Sequence, residues 1–421
     1  MWTYDNQGGS PNFRAGVFAT PISTGLVSRF GGPISVPQGP TALASGVFTL
    51  EGYPDVGVLS TLPARGSFVN FVAPPAFPAL QALAGVPLLL PTPEVKHMAV
   101  GDFDRADGLS DVVIADSGVF GGALPALTFY NSAAPGFAIV LAAGTIPTFV
   151  VVADFDQNGW DDVAVSDGAN NRVAVYYHLG GPGLFSPPVV LPLGAISPTS
   201  MDVADFNNDG FPDIVVVGNA GVAKAGFAQV FLNNVVPVSG FTALSVQPQS
   251  TWGTDARFVE AFEADGNGWI DFAVANFGSH TVTVFLTQPV GRVLLDPGGR
   301  VTRDIVCLEP WKLGIEVEAK FKYELQCGYY PTGIAAGDFD RNGKMDMAIS
   351  LYSATLEIDP QVASCIEVIF DVACGFQPNQ LPHRISPEFE PQVCEPCIDG
   401  PCAENSPPTT GIETDGDSKN P

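Results

Sequence analysis

One acidic segment occurs six times in this chain, and its spacing is what most limits the fold. Its clearest form is ADFDQNGWDDVAV, residues 153–165. It recurs as GDFDRADGLSDVVIADS (101–117), ADFNNDGFPDIVVVGNA (204–220), FEADGNGWIDFAVANFG (262–278) and GDFDRNGKMDMAISLYS (337–353). A degraded sixth copy, GVFTLEGYPDVGVLS (46–60), keeps only the glycine and the last aspartate, Gly52 and Asp55. The final aspartates, Asp55, Asp111, Asp162, Asp213, Asp271 and Asp346, stand 56, 51, 51, 58 and 75 residues apart. Regular spacing of that size means one supersecondary unit used many times.

The interior of the unit identifies its type. An apolar run such as FVVADF (149–155) enters the acidic loop, and a second, DVAVSD (162–167), leaves it. A third run follows in each unit: LTFYNS (127–132), VAVYYH (173–178), QVFLNN (229–234) and VTVFLT (282–287). A weaker fourth run carries Phe, Pro and Val, as in GLFSPPVVLPLG (183–194). Four short alternating strands per unit predict an all-β fold, a β-propeller of four-stranded blades. A parallel α/β fold needs a helix of about 10–15 residues between strands, and the unit has no room for one. With 46 Gly and 38 Pro the composition suits many strands joined by tight turns. The opening MWTYDNQ reads as the third strand of a blade, so the count is seven blades, with six as the alternative.

In the loop from Asp154, oxygen-bearing residues occupy positions 1, 3, 5 and 9 as Asp154, Asp156, Asn158 and Asp162, with Gly159 at position 6. The same pattern gives Asp205, Asn207, Asp209 and Asp213; Glu263, Asp265, Asn267 and Asp271; and Asp338, Asp340, Asn342 and Asp346. Alternate side chains can converge on one point, and the glycine permits the sharp bend, as a hard-cation loop requires. It is not an EF-hand: position 12, where a bidentate Glu belongs, is Val165, Val216, Val274 or Ile349. The loop 102–111 has one residue more, so Asp107 replaces Ala106 as the middle ligand beside Asp102, Asp104 and Asp111. The copy at 47–55 offers only Glu51 and Asp55 and is expected to stay empty. Asx-turns are the simpler use of such aspartates. An Asx-turn needs one acid, however, and packing three or four together is repulsive without a cation. A catalytic carboxylate pair would occur once, not in every unit.

The pattern D-F-[DN]-x-[DN]-G-x-x-D, followed by a Val/Ile/Ala strand, resembles the FG-GAP / VCBS-type repeats, and it covers most of residues 44–355. Those repeats build β-propellers such as the integrin α-subunit head, and they bind Ca²⁺ between the first and second strands of a blade. The resemblance thus implies four or five structural Ca²⁺ ions here. Within the repeated segments the name-giving Phe-Gly survives only as Phe277-Gly278, and no Gly-Ala-Pro follows, which brings the chain nearer the bacterial type.

The formal charge of −26, with only 18 Lys and Arg among 421 residues, argues against nucleic acid and anionic membrane surfaces as partners. The most apolar window, FPALQALAGVPLLLP (77–91), is short and broken by prolines, so no membrane span is expected. MWTYDNQGGS lacks a signal-peptide pattern, so Met1 reads as the start of a mature chain or a fragment of a larger surface protein. Cys307, Cys327, Cys365, Cys374, Cys394, Cys397 and Cys402 lack the spacing of a zinc site; disulfides in an oxidising compartment are the better reading, with one cysteine over. The propeller is assigned to residues 1–385, and an acidic, Pro-rich tail or linker to 386–421. Within the propeller, 288–331 reads as an insertion outside the blade pattern, containing Trp311 and EVEAKFKYE (316–324).

His97, His178, His280 and His383 are scattered, and no nucleophile elbow, phosphate loop or dinucleotide fingerprint is present. No catalytic residue is assigned. Trp160, Trp269 and Phe211 follow the loop glycines, a repeating place that suits packing between blades better than a ligand contact. Trp252 and Trp311 lie outside the repeat and suit a unique contact. The expected function is a secreted or cell-surface recognition or adhesion module for a protein or glycan partner. A polysaccharide lyase or hydrolase on the same scaffold is the alternative.

Overall fold

The computed structural model describes residues 40–48, 55–61, 67–73, 95–105, 108–118, 124–130, 137–142, 145–181, 183–234, 240–244, 248–290, 314–325, 329–353 and 364–372. It also describes short strands at 13–15, 18–19, 27–28, 34–36, 81–82, 88–89, 294–295 and 301–302. By compactness the chain divides into Met1–Glu390 and Pro391–Pro421; the second unit lies outside the described residues. Among the described residues all regular elements are strands, and no helix is long and apolar enough to cross a membrane.

Each acidic unit folds into its own antiparallel sheet in chain order. The second sheet comprises Val95–Gly101, Asp111–Asp116, Ala126–Tyr130 and Phe137–Val140. The third comprises Pro147–Ala153, Asp162–Asp167, Arg172–Tyr176 and Val189–Pro192. The first sheet opens with Pro40–Gly46 and Asp55–Thr61, the fourth with Ser197–Ala204 and Asp213–Ala220, the fifth with Ala256–Phe262 and Asp271–Asn276. The sixth contains Tyr329–Gly337, Asp346–Ser353 and Ser364–Ile369. First strands of consecutive sheets lie against one another, so the sheets are the blades of a β-propeller with those strands innermost. At the N-terminus Phe13–Ala15 pairs with Ile34–Val36, and Phe18–Ala19 with Val27–Ser28.

Second strands carry no alternation because both faces are covered. All six residues of Asp111–Asp116, of Asp162–Asp167 and of Asp271–Asn276 are buried, each blade being packed between two others. The phenylalanine at loop position 2 points into these cores: Phe103, Phe155 and Phe206 are essentially inaccessible. Phe103 joins Val113 and Phe129 of its own blade to Val150, Val163 and Val165 of the next. This explains the D-F-D order, in which oxygens and ring leave the strand end on opposite sides.

Residues 288–331 do not stand wholly outside the blades. Gly314–Glu324 is the fourth strand of the fifth blade, paired along Thr281–Val290 from Val290↔Gly314 to Thr281↔Glu324. Its buried residues, Ile315, Val317, Ala319 and Tyr323, alternate with outward charges such as Lys320, Lys322 and Glu324. Charge on the open side of an edge strand discourages pairing with other chains. Between Val290 and Gly314 the described part is a short pair, Leu294–Leu295 with Val301–Thr302. Trp311, six of the seven cysteines (all but Cys365) and the tail from 386 lie outside the described residues.

One junction between blades titrates. His97, on the first strand of the second blade, stacks on Phe149 of the third (centroids 3.5 Å apart), with Nδ1 3.1 Å from the Val150 carbonyl oxygen. Burial holds its pKa down at about 4, against the partial pull of that carbonyl. The unfolded chain therefore binds a proton that the folded one refuses between about pH 6.5 and 4, and stability falls as pH drops through that window. His97→Phe is expected to keep the stack and remove this component. Urea titrations at both ends of the window would show wild type losing on the order of 2 kcal/mol more than the variant.

Candidate metal centres

Every acidic loop is the hairpin between a blade's first and second strands. The ladder starts at the same two places each time: Gly101↔Asp111, Ala153↔Asp162, Ala204↔Asp213, Phe262↔Asp271 and Gly337↔Asp346. Position 9 is thus the first residue of the second strand, and its side chain turns back under the loop. There it is locked. Asp162 is fully buried; its Oδ2 accepts from Phe155 N (2.8 Å) and its Oδ1 from His178 N (2.6 Å). Asp213 takes Phe206 N and Asn233 N, Asp271 takes Ala264 N and Thr287 N, and Asp346 takes Phe339 N and Asp371 N, all at 2.7–2.9 Å. One carboxylate therefore ties the loop to the end of the third strand.

The remaining acids close over it. Position 5 folds into an Asx-turn, with Trp160 N donating to Asn158 Oδ1 (2.8 Å), Trp269 N to Asn267 Oδ1 (2.7 Å) and Lys344 N to Asn342 Oδ1 (2.8 Å). Position 1 takes the glycine amide: Gly159 N donates to Asp154 Oδ2 (2.8 Å), Gly210 N to Asp205 Oδ2 (2.8 Å) and Gly343 N to Asp338 Oδ2 (2.9 Å). The glycines sit at φ between +82° and +89°, a conformation that side chains rarely adopt. Positions 1, 3 and 9 then converge. In Asp102/Asp104/Asp111, Asp154/Asp156/Asp162, Glu263/Asp265/Asp271 and Asp338/Asp340/Asp346, three carboxylate oxygens lie within 4.8 Å of one another. The loop 205–213 departs from this. Asn207 stands at position 3, and its Nδ2 donates to Asp209 Oδ2 (2.9 Å). Asp107, expected as the middle ligand of the 102–111 copy, and Glu51 of the 47–55 copy, expected to stay empty, lie outside the described residues.

Among the described residues no cation acts on the position-9 carboxylates Asp162, Asp213, Asp271 and Asp346. Burial, with added repulsion from Asp156 and Asp154, pushes Asp162 up to about 7, although backbone donors pull the other way. Burial likewise raises Asp213 to about 8, Asp271 to about 7 and Asp346 to about 6, with neighbouring carboxylates adding to each. Asp154 Oδ1 and Glu263 Oε1 are buried without any hydrogen-bond partner. Convergent hard oxygens, orphaned lone pairs and crowded negative charge fit a divalent cation of the Ca²⁺ type. Asp154, Asp156, Asn158 and Asp162, with their counterparts in the other loops, would hold it.

Neighbouring loops also touch. Position 4 is left-handed in the five described loops (φ from +50° to +77°), and in three of them its side chain reaches the next blade. Gln157 Nε2 donates to Gly210 O (2.5 Å), and Asn208 Nδ2 donates to Gly268 O (3.1 Å). Arg105 lies against Gly159 and over the Trp160 ring, 5.3 Å from its centroid. Trp160 also stacks on buried His178, at 4.8 Å and 3°. Trp160 is therefore junction packing. Asp161 adds a link by accepting from Asp102 N (2.7 Å). Asp161 and the residues closing the third strands, His178, Asn233, Thr287 and Asp371, escaped the sequence reading. The only signal for the latter is a polar residue ending an apolar run.

The fold and the rim define a class, a β-propeller whose blades carry convergent carboxylate loops. Residues 154–216, which include two of the loops, match the model of the FG-GAP-like repeat. No curated protein matches the sequence. Among solved structures, the chain is similar to a protein from Lactobacillus plantarum (13% identity over 82% of this chain and 80% of that one, TM-score 0.44). It is also similar to a chain of the Chaetomium thermophilum polycomb repressive complex 2 (10% identity over 74% of this chain and 65% of that one, TM-score 0.43).

Proposed function

We infer that this chain is a calcium-stabilised, extracellular recognition module without catalytic activity, which meets a protein or glycan through the loops of its blades. The observation that carries the calcium half is the orphaned, buried Asp154 Oδ1 within a carboxylate trio. Bound there, Ca²⁺ would supply positive charge to the trio and no redox or acid–base chemistry. Asp154, Asp156 and Asp162 would orient their oxygens towards it, and the equivalent residues would do so in the loops starting at Asp102, Glu263 and Asp338. Extracellular modules of this kind fill at roughly 10⁻⁴–10⁻³ M calcium, which supports a location outside the cytosol.

Recognition is assigned to the connections rather than the repeat, because the blades are alike and the connections differ. The most individual of these is the segment between Val290 and Gly314, which separates two paired strands of one blade. Deleting 303–312 leaves both strands intact and is expected to abolish binding on a glycan and surface-protein array while leaving the melting temperature within a few degrees. Retained binding would overturn the assignment. Cleavage of any polysaccharide by the intact chain would overturn the non-catalytic reading.

A further inference from the structure

The chain contains three Asn-Gly steps, 158–159, 267–268 and 342–343, and all three fall at positions 5 and 6 of acidic loops. Asn-Gly is the step most open to cyclisation, because no side chain on the glycine hinders attack of its amide nitrogen on the asparagine Cγ. Three features are common to the three sites. Each asparagine is exposed. Each side-chain carbonyl accepts an N–H from position 7 at 2.7–2.8 Å, a donor placed where negative charge would develop during attack. Each following glycine is left-handed.

The nucleophile is what differs. Gly159 N and Gly343 N donate to Asp154 and Asp338 at 2.8 and 2.9 Å. A charge-assisted bond of that kind holds the peptide plane and disfavours loss of the amide proton beside a carboxylate. In the fifth blade position 1 is Glu263, one methylene longer. Its Oε1 is buried without a partner, and among the described residues no acceptor meets Gly268 N. The leaving group is also held less firmly. Asn267 Nδ2 donates once, to Thr287 O (3.0 Å). Asn158 Nδ2 donates to His178 O and Asp156 Oδ2, and Asn342 Nδ2 to Asp371 Oδ1 and Asp340 Oδ2. Position 4 here is Gly266, where Gln157 and Asn208 serve the two preceding loops.

We propose that Asn267 is a self-modification site, deamidating through Gly268 while its two counterparts are protected. Gly268 N gives its proton to solvent base and bonds to Asn267 Cγ. The Cγ–Nδ2 bond breaks, and Nδ2 leaves as ammonia after taking a proton from water. The succinimide then adds one water at either carbonyl, giving aspartate or isoaspartate. The net change is asparagine and water to a carboxylate and ammonia, with no oxidant, metal or enzyme. The aspartate product gives the fifth loop the position-5 acid that the fourth already has in Asp209.

The test is peptide mapping of the folded full chain held in metal-free, mildly alkaline buffer, with urea-unfolded chain as the reference. Folded protein is expected to gain the mass of one amide-to-acid exchange at 267 about tenfold faster than at 158 or 342, the factor given by one net hydrogen bond of about 1.4 kcal/mol. Unfolded protein should convert all three at similar rates. Glu263→Asp should slow Asn267 to the level of the others, and Asp154→Glu should accelerate Asn158. Equal rates in the folded chain, a faster Asn158 or Asn342, or an Asn267 rate unmoved by Glu263→Asp would each overturn the proposal. None of these outcomes depends on whether the loops bind calcium.

Discussion

Stripping divalent cations with EDTA is expected to lower the melting temperature of this protein by several degrees, and added Ca²⁺ should restore it. A site with a dissociation constant of roughly 10⁻⁴–10⁻³ M contributes about 0.4–1.4 kcal/mol at about 1 mM ligand, so four independent sites contribute about 2–6 kcal/mol. The cause is local. Asp162, Asp213, Asp271 and Asp346 are buried among other carboxylates and are raised to between about 6 and 8, so near neutrality each loop carries charge that it does not solvate. A cation replaces that repulsion with attraction. Scanning calorimetry with EDTA, Ca²⁺ and Mg²⁺ checks this, and coincident transitions in all three would remove the calcium reading. Mg²⁺ should restore less, because it demands a tighter and more regular octahedral shell than Ca²⁺ does.

Asp162→Ala is expected to destabilise the protein even without calcium. The substitution leaves two buried donors, Phe155 N and His178 N, without acceptors. Each unsatisfied buried donor costs about 1–3 kcal/mol. Relief of crowding with Asp154 and Asp156 offsets part of this, so a net loss of about 2–4 kcal/mol is expected in EDTA. Asp156→Ala should behave differently. Its oxygens accept only from the neighbouring Asn158, so its loss should matter chiefly when calcium is present. Urea titrations of both variants with and without calcium separate the roles. Equal effects in EDTA would mean that position 9 is a ligand and nothing more.

Much of this architecture is legible in the sequence because the loop compresses it into nine residues. Asp154, Asp156, Asn158 and Asp162 meet through local turns, so their spacing alone carries the geometry. What joins one blade to another is less visible. His178, Asn233 and Thr287 bind the position-9 carboxylate through backbone N–H groups, which any residue but proline possesses. The fourth strand of the fifth blade, Gly314–Glu324, is hidden for two reasons. Its partner strand ends at Val290, many residues earlier, and the charges of EVEAKFKYE mask the inward series Ile315, Val317, Ala319 and Tyr323. Burial of both faces makes the second strands continuous apolar runs where strict alternation was expected.

The position-4 contacts give the rim a direction and a seam. Arg105 reaches the third loop, Gln157 the fourth and Asn208 the fifth, always towards the later blade. Gly266, which has no side chain to extend, ends the series before the sixth. This side-chain-to-peptide series spans three junctions from Arg105; the fifth blade meets the sixth through the shared core, Phe262 and Ala264 against Ile334 and Met347. The rim is built less like a closed hoop than like a belt with its buckle undone at Gly266.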